Sequence, residues 1–338
     1  MATLGATFFD LIDLHKRQDN GQMATIIELL KENNAILDDA MTVECNMGTY
    51  HRTTIRTGLP SVTWGRFYKG IPQSKSTTAQ VDDTTGFVEA LSTVDERLLD
   101  VSGNPNAVRF SEATSFLESM AQEVASTLIY GNDNTSPDEF TGFAPRFNSL
   151  SAANGNQIVD GGGSSSDNTS IWFVTWGDSY AHMLYPTGSG GGVSRQDMGR
   201  QRVLDGSSNP YYVMEEKFTQ HAGLSVRDWR NIARVANIDV SDLVAGSTDI
   251  YALMRKAFWA IKKHRIPGTR MAIYCNSDVL EALDADSTPT TATISAGTTR
   301  ESYVRLRPQE VDGFEVMSYR GIPVRQVDAI LNTEAVVS

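Results

Sequence analysis

Residues 48–94 contain two β-like runs that cannot bury a core between them. "TYHRTTIRTGLPSVTWGRFYKG" is rich in Thr, Val, Ile, Trp and Tyr and is cut at Gly58–Leu59–Pro60. "STTAQVDDTTGFVEALSTVDE" follows the turn-type segment "GIPQSK". Together they predict a long β-hairpin with its tip near residues 70–77. Many of its side chains are polar, and an isolated two-stranded ribbon is at best marginally stable in water. The hairpin therefore needs a partner surface. Lys69, Gly70, Ile71, Pro72 and Lys75 around the tip are candidates for contact between subunits. The two lysine side chains are read as solubilising or ion-pairing, since exposed pairs are weak singly and act through repetition.

The strongest helical pattern is "NPNAVRFSEATSFLESMAQEVASTLIYG". Phe110, Ala113, Phe116, Leu117, Met120, Val124, Leu128 and Ile129 make one apolar stripe, with Asn104–Pro105 as entry and Gly131 as stop. Two amphipathic helices are expected at the start, in "TFFDLIDLHKRQ" and "GQMATIIELLKENNAILDDAM". "GNQIVDGGGSSSDNTS" reads as a flexible loop before "IWFVTWGD", a buried strand. Residues 185–239 alternate strand-like pieces with Gly, Ser and Asn turns. "DIYALMRKAFWAIKKHRIP" reads as a helix with basic residues near its end, where they suit the dipole. "MAIYCNSDVLEALDAD" reads as strand then helix, with Asn276–Ser277–Asp278 as the cap region. "STPTTATISAGTTR" reads as a polar loop and "FEVMSYRGIPVRQVDAIL" as a hairpin turning at Gly321.

Formal net charge is −12, which argues against an electrostatic grip on nucleic acid. Cys45 and Cys275 are too few and too far apart for a disulfide scaffold or a zinc site and are expected as buried thiols. No apolar run reaches the roughly 18–20 residues that span a bilayer, and the first residues do not read as a secretory signal. Synthesis inside the cell is the expectation.

Catalytic, cofactor and metal sites are not expected. His15, His51, His182, His221 and His264 are scattered, without metal-ligand spacing. "GSGGGV" at 188–193 lacks the Gly-Lys-Ser/Thr of a phosphate loop and does not open a helix. No GxSxG elbow occurs. Asp82, Asp83, Asp284 and Asp286 are read as solvated carboxylates.

"GLSVRDWRNIARVANIDVSDL", residues 223–243, crowds opposite charges among apolar residues. No nucleophile, metal set or base accompanies it, so Arg227, Asp228, Arg230, Arg234 and Asp239 are candidates for a structural ion-pair segment. Leu224, Val226, Ile232 and Val235 show broken strand alternation, expected to mark a bulge near Trp229. Replacing Asp228 or Arg230 is expected to cost folding or assembly.

The order of these segments, with "LIYGN", "FTGFAPRFNSL", "SIWFVTWG", "GLSVRDWRNIARVANID" and "YRGIPVRQVDAIL", resembles the major capsid proteins of tailed bacteriophages across essentially the whole chain. It is most similar to a subfamily from short-tailed phages. The resemblance implies an α+β chain of the Hong Kong 97-type fold. Residues 1–46 would be an N-terminal arm and 47–95 the extended E-loop hairpin. Residues 96–144 would belong to the peripheral domain, with its spine helix at 104–131. Residues 145–300 would be mainly the axial domain, and 301–338 would return to the peripheral domain. It also implies self-assembly through hexamers and pentamers into an icosahedral virion head shell around double-stranded DNA, without sequence-specific binding. Assembly would occur in the bacterial host cytoplasm, away from membranes. Scaffolding, portal and decoration proteins would be further partners, with any scaffolding protein a separate chain. Some relatives join subunits by a Lys–Asn bond; Lys69 and Lys75 are placed for it, but nothing marks the acceptor, and no cross-link is expected. A non-viral, encapsulin-like compartment shell is the alternative within the fold. A mixed α/β hydrolase and a phage tail or adhesin module are the alternatives outside it.

Overall fold

The computed structural model describes residues 18–19, 22–23, 32–262, 267–287, 291–293, 299–301, 306–311 and 314–338. Two short strands, β1 (Gln18–Asp19) and β2 (Gln22–Met23), pair with each other where helices were expected. Helix α1 (Ala35–Asp39) is the described helical part of that region. The other residues of the two expected helices up to residue 31 lie outside the described set. There follow β3 (Thr42–Glu44), β4 (Tyr50–Gly58) and the long β5 (Thr77–Asp95), then α2 (Glu96–Val101), α3 (Pro105–Tyr130) and α4 (Phe143–Arg146). Next come β6 (Ile158–Asp160), β7 (Asn168–Trp176), β8 (Ala181–Tyr185), β9 (Val193–Leu204), β10 (Pro210–Val226) and β11 (Ala233–Asp239). Helices α5 (Val240–Val244) and α6 (Ile250–Ala260), strand β12 (Arg270–Cys275) and helix α7 (Ser277–Ser287) precede β13 (Thr291–Thr293) and β14 (Thr299–Glu301). Strands β15 (Leu306–Val311), β16 (Phe314–Tyr319) and β17 (Ile322–Gln326) close the order.

One sheet organises the molecule, in the order β15-β16-β17-β12-β7-β8-β10-β5-β4. Strands β6 and β11 join beside β7, β3 beside β8 and β9 beside β10. β7 is buried along its whole length because both faces are covered, which explains its continuous apolar run. Trp172, Val174 and Trp176 point to one core with Val124, Leu128 and Ile129 of α3. Ile171 and Phe173 point to the other, with Ile250 and Met254 of α6 and Val279 and Leu283 of α7. The period of two along a strand thus sorts neighbouring residues into two cores.

The structure corrects several expectations. β4 stops at Gly58 and β5 starts at Thr77, so residues 59–76 form an irregular connection and the first β-like run is mostly not strand. The α3 stripe is not uniform: Val124, Leu128 and Ile129 are buried, but Phe110 and Leu117 face out. The first half of α3 packs on the β5–β10 ribbon and on α2, through small clusters around Val108 and Phe218. Residues 155–163 are held, not loose: β6 pairs with β11, and a Cβ on Gly161 or Gly163 would come within 3.0 Å of the Asn237 carbonyl oxygen. "STPTTATISAGTTR" includes the paired strands β13 and β14. α6 ends at Ala260, ahead of the basic residues expected in its last turn. The bulge expected near Trp229 is a 3-10 turn, Trp229–Asn231. The register shift lies later, between Val235 and Ile238, where Asn237 adopts φ 56°. Asn tolerates this left-handed conformation, and its amide spans Asp160 and Val337.

Candidate subunit interface and the buried ion-pair network

The hairpin β4–β5 leaves the body as a ribbon with almost no core. Along β4 only His51 is buried. Nine residues of strand at about 3.4 Å each carry the connecting loop roughly 30 Å outward. That loop exposes Leu59, Val62, Trp64, Phe67, Tyr68 and Ile71, with Trp64 at 99% and Phe67 at 94%. Six large apolar side chains within thirteen residues are more than a solvated turn needs. Lys69, Gly70, Ile71, Pro72 and Lys75 all lie in this exposed loop.

At its root the hairpin is fastened by charge. Arg146, at the end of α4, pairs with buried Asp83 of β5 at 2.9 Å and donates to the Leu224 carbonyl at 3.1 Å. Asp83 is therefore not the solvated carboxylate expected, whereas Asp82 keeps an exposed pair with Arg52. Arg227 lies 2.7 Å from His51 Nε2 and 3.4 Å from Asp178. The His51 ring meets His182 of β8 edge-on at 5.7 Å.

Burial, the Arg227 charge and His51 push the His182 imidazole down to about 4, against the opposing pull of Asp178 and a backbone contact from Gly177. Burial and Arg227 likewise lower His51, with Asp83 and Asp178 opposing. Both imidazoles are thus held neutral in the fold, while the unfolded chain protonates near pH 6.5. Below that pH the unfolded state binds more protons, so stability falls as pH drops from about 6.5 toward 4 and then levels off for His182. The full His182 effect is on the order of 3 kcal/mol. Chemical denaturation across this range should show a steeper loss for the parent protein than for His182→Gln; equal slopes would contradict it.

The charged stretch 223–243 divides. Asp228 caps the 3-10 turn and chelates Arg230 at 2.8 and 3.0 Å, a local pair in which the carboxylate is half-buried and the arginine exposed. Asp239 caps α5 through the Asp242 amide. Arg234 is different: it is buried in β11, pairs with Glu334 at 2.8 Å, donates to the Phe147 carbonyl at 2.8 Å and lies over the Trp172 ring at 4.9 Å. Glu334 also accepts from Tyr130 at 2.6 Å and from Ser170. Burial and the Glu334 charge hold the Tyr130 hydroxyl well above its ordinary value, so it remains a donor. The expectation of a large mutational loss therefore moves from Asp228 and Arg230 to Arg234.

Two further anchors escaped sequence reading because their partners are far apart in the chain. Asp39 of α1 pairs with Arg270 at 3.0 Å and with Arg325, and accepts from Tyr274 at 2.9 Å. Glu216, at the β9–β10 register shift, pairs with Arg109 of α3 at 2.5 Å and is chelated by Arg195. The thiols of Cys45 and Cys275 are buried and free, and burial pushes Cys275 up to about 12. Among the described residues no group of three or more His, Cys, Asp or Glu could hold a metal ion, and no helix is long and apolar enough to cross a membrane.

A family model described as "Major capsid protein GP7" matches residues 18–338. The chain belongs to this capsid protein family. The capsid subunit is similar to a solved structure of bacteriophage Epsilon15, at 36% identity over 100% of both chains with a TM-score of 0.75. Its fold is the Hong Kong 97 type, and its role is structural, as the major capsid protein of a tailed-phage head shell, not enzymatic. A capsid of a native GTA particle shares 13% identity over 65% of this chain and 95% of its own, with a TM-score of 0.46. The holo-SrpI encapsulin of Synechococcus elongatus shares 13% over 68% and 96%, with a TM-score of 0.43. These two likenesses are too distant to bear on function. No curated protein sequence matches the chain.

Proposed function

We propose that this capsid subunit closes an icosahedral shell of hexamers and pentamers around double-stranded DNA, with the β4–β5 hairpin as an E-loop that reaches a neighbouring subunit. The observation that carries this reading is the hairpin's outer loop, whose apolar side chains have no cover among the described residues of their own subunit. The exposed tip residues Lys69, Gly70, Ile71, Pro72 and Lys75 would lie in that contact. Arg227, Asp228, Arg230, Arg234 and Asp239 would hold the subunit's interior and the hairpin root in register. The layout is an N-terminal arm to residue 46, the E-loop at 47–95, a peripheral domain around α3, an axial domain mainly within 145–300 and a peripheral return at 301–338. A net charge of −12 suits a wall that packed DNA slides past. Assembly takes place in the cytoplasm of a bacterial host, with separate scaffolding, portal and decoration proteins as partners.

Negative-stain microscopy of the purified protein tests this. Closed particles or capsomer rings are expected, and particles from infected cells should contain DNA. Denaturing electrophoresis of those particles should give one band at 37.0 kDa. A protein that stays monomeric at high concentration, with or without scaffold, would contradict the reading.

A further inference from the structure

The hairpin loop differs from the rest of the chain in charge as well as exposure. Residues 53–81 carry Arg56, Arg66, Lys69 and Lys75 and no Asp or Glu, although the whole chain has a net charge of −12. Cations interleaved with Trp64, Phe67, Tyr68 and Ile71 suit an apolar surface with an acidic rim.

Among the described residues, two concavities offer apolar lining. One, at the root of the same hairpin, includes Ile55, Phe147 and Trp229, but Arg146 and Arg227 also line it and would repel the loop. The other is a groove of about 610 Å³ where α1, α7 and strands β15–β17 meet. Leu280, Leu306, Met317 and Val324 give it an apolar lining, and exposed Asp38 and Glu281 give it negative charge. Its arginine, Arg325, is tied to Asp39. The β4–β5 hairpin and β15–β16 stand at opposite ends of the sheet, so a subunit does not fill its own groove with its own loop. A donor at one end and an acceptor at the other make a heterologous contact, the kind that closes rings of identical copies.

We infer that the basic, aromatic loop at residues 59–76 docks into the Asp38–Glu281 groove of a second copy of this chain. This rests on the hairpin being an inter-subunit arm and adds where it lands. Leu59, Trp64, Phe67 or Ile71 would enter the apolar lining, with Lys69 and Lys75 meeting Asp38 and Glu281.

The full chain carrying Ile71→Cys and Met317→Cys provides the deciding test. Both natural cysteines are buried, so they do not compete. Mild oxidation of assembled particles should give a ladder of dimers and higher multimers on a non-reducing denaturing gel, absent from either single variant. In parallel, Asp38→Lys with Glu281→Lys should lower particle yield at least tenfold at unchanged thermal midpoint, and Lys69→Glu with Lys75→Glu should restore it. Assembled particles without the ladder, and undiminished assembly after charge reversal in the groove, would overturn the inference. If deletion of the loop still abolishes particles in that case, the arm stands and only its landing site is wrong.

Discussion

Excising residues 60–75 and joining β4 to β5 by a short turn should leave a folded subunit that no longer forms shells. The loop's described hydrogen bonds are largely to itself and to the strand ends: Ser74 donates to the Ser61 carbonyl at 2.8 Å, and the Lys69 amide reaches the Arg66 carbonyl at 3.2 Å. Among the described residues its large side chains rest on no core of their own subunit. Removing them should change the stability of the isolated subunit by no more than about 0.5 kcal/mol, as for surface changes generally. In an assembly each such side chain, once buried, contributes about 1.5–3 kcal/mol before the cost of association. Losing five of the six, Val62, Trp64, Phe67, Tyr68 and Ile71, at every contact removes more than a typical interface can spare. Light scattering and microscopy should show no particles while circular dichroism and the thermal midpoint match the parent. Particles at parental yield would show that the loop is dispensable.

Arg234→Met should destabilise the subunit itself by about 3–5 kcal/mol. Its side chain and that of Glu334 are 4% and 3% exposed, so the truncation leaves a carboxylate buried without its counter-ion. The same change removes the hydrogen bond to the Phe147 carbonyl and the contact over Trp172. Against a total stability of roughly 5–15 kcal/mol this is a large share. Urea denaturation of unassembled subunits measures it directly. Arg234→Met with Glu334→Leu should recover part of the loss, since an apolar pair leaves no orphaned charge. An unfolding free energy within about 0.5 kcal/mol of the parent for Arg234→Met alone would refute the role given to this pair.

Elements whose signal is local were legible. Asn104 caps α3 through the Ala107 amide, Pro105 opens it and Gly131 follows its end, as the residue types require. β7 shows as an apolar run because both faces are buried. The β16–β17 turn shows as Arg320–Gly321, both at positive φ. Misreadings came where a long-range partner overrode local character. The glycines of residues 155–163 look flexible, but Gly161 and Gly163 are small because the Asn237 backbone passes against them. Asp83 looks solvated beside Asp82, but the strand alternation turns it inward onto Arg146. Trp229 looks like the centre of a bulge, but the chain turns there between two strands, and the break in register waits for Asn237.

The same division holds for the assembly surface and the ion pairs. Sequence alone determined that residues 48–94 hold β-like runs too polar to build a core of their own, that residues 104–131 carry a long helical stripe, and that residues 223–243 crowd opposite charges among apolar residues. Those conclusions need only residue types, periodicity and spacing, which act over a few neighbours. Which charges are buried, which carboxylate meets which arginine, and which hydrophobic residues stay outside were decided by tertiary structure. Arg234 and Arg230 look alike in the sequence, yet one is sealed against Glu334 a hundred residues away and the other lies at the surface beside Asp228. Burial sets the dielectric around a charge and so its worth, and only the folded sheet brings those distant partners together.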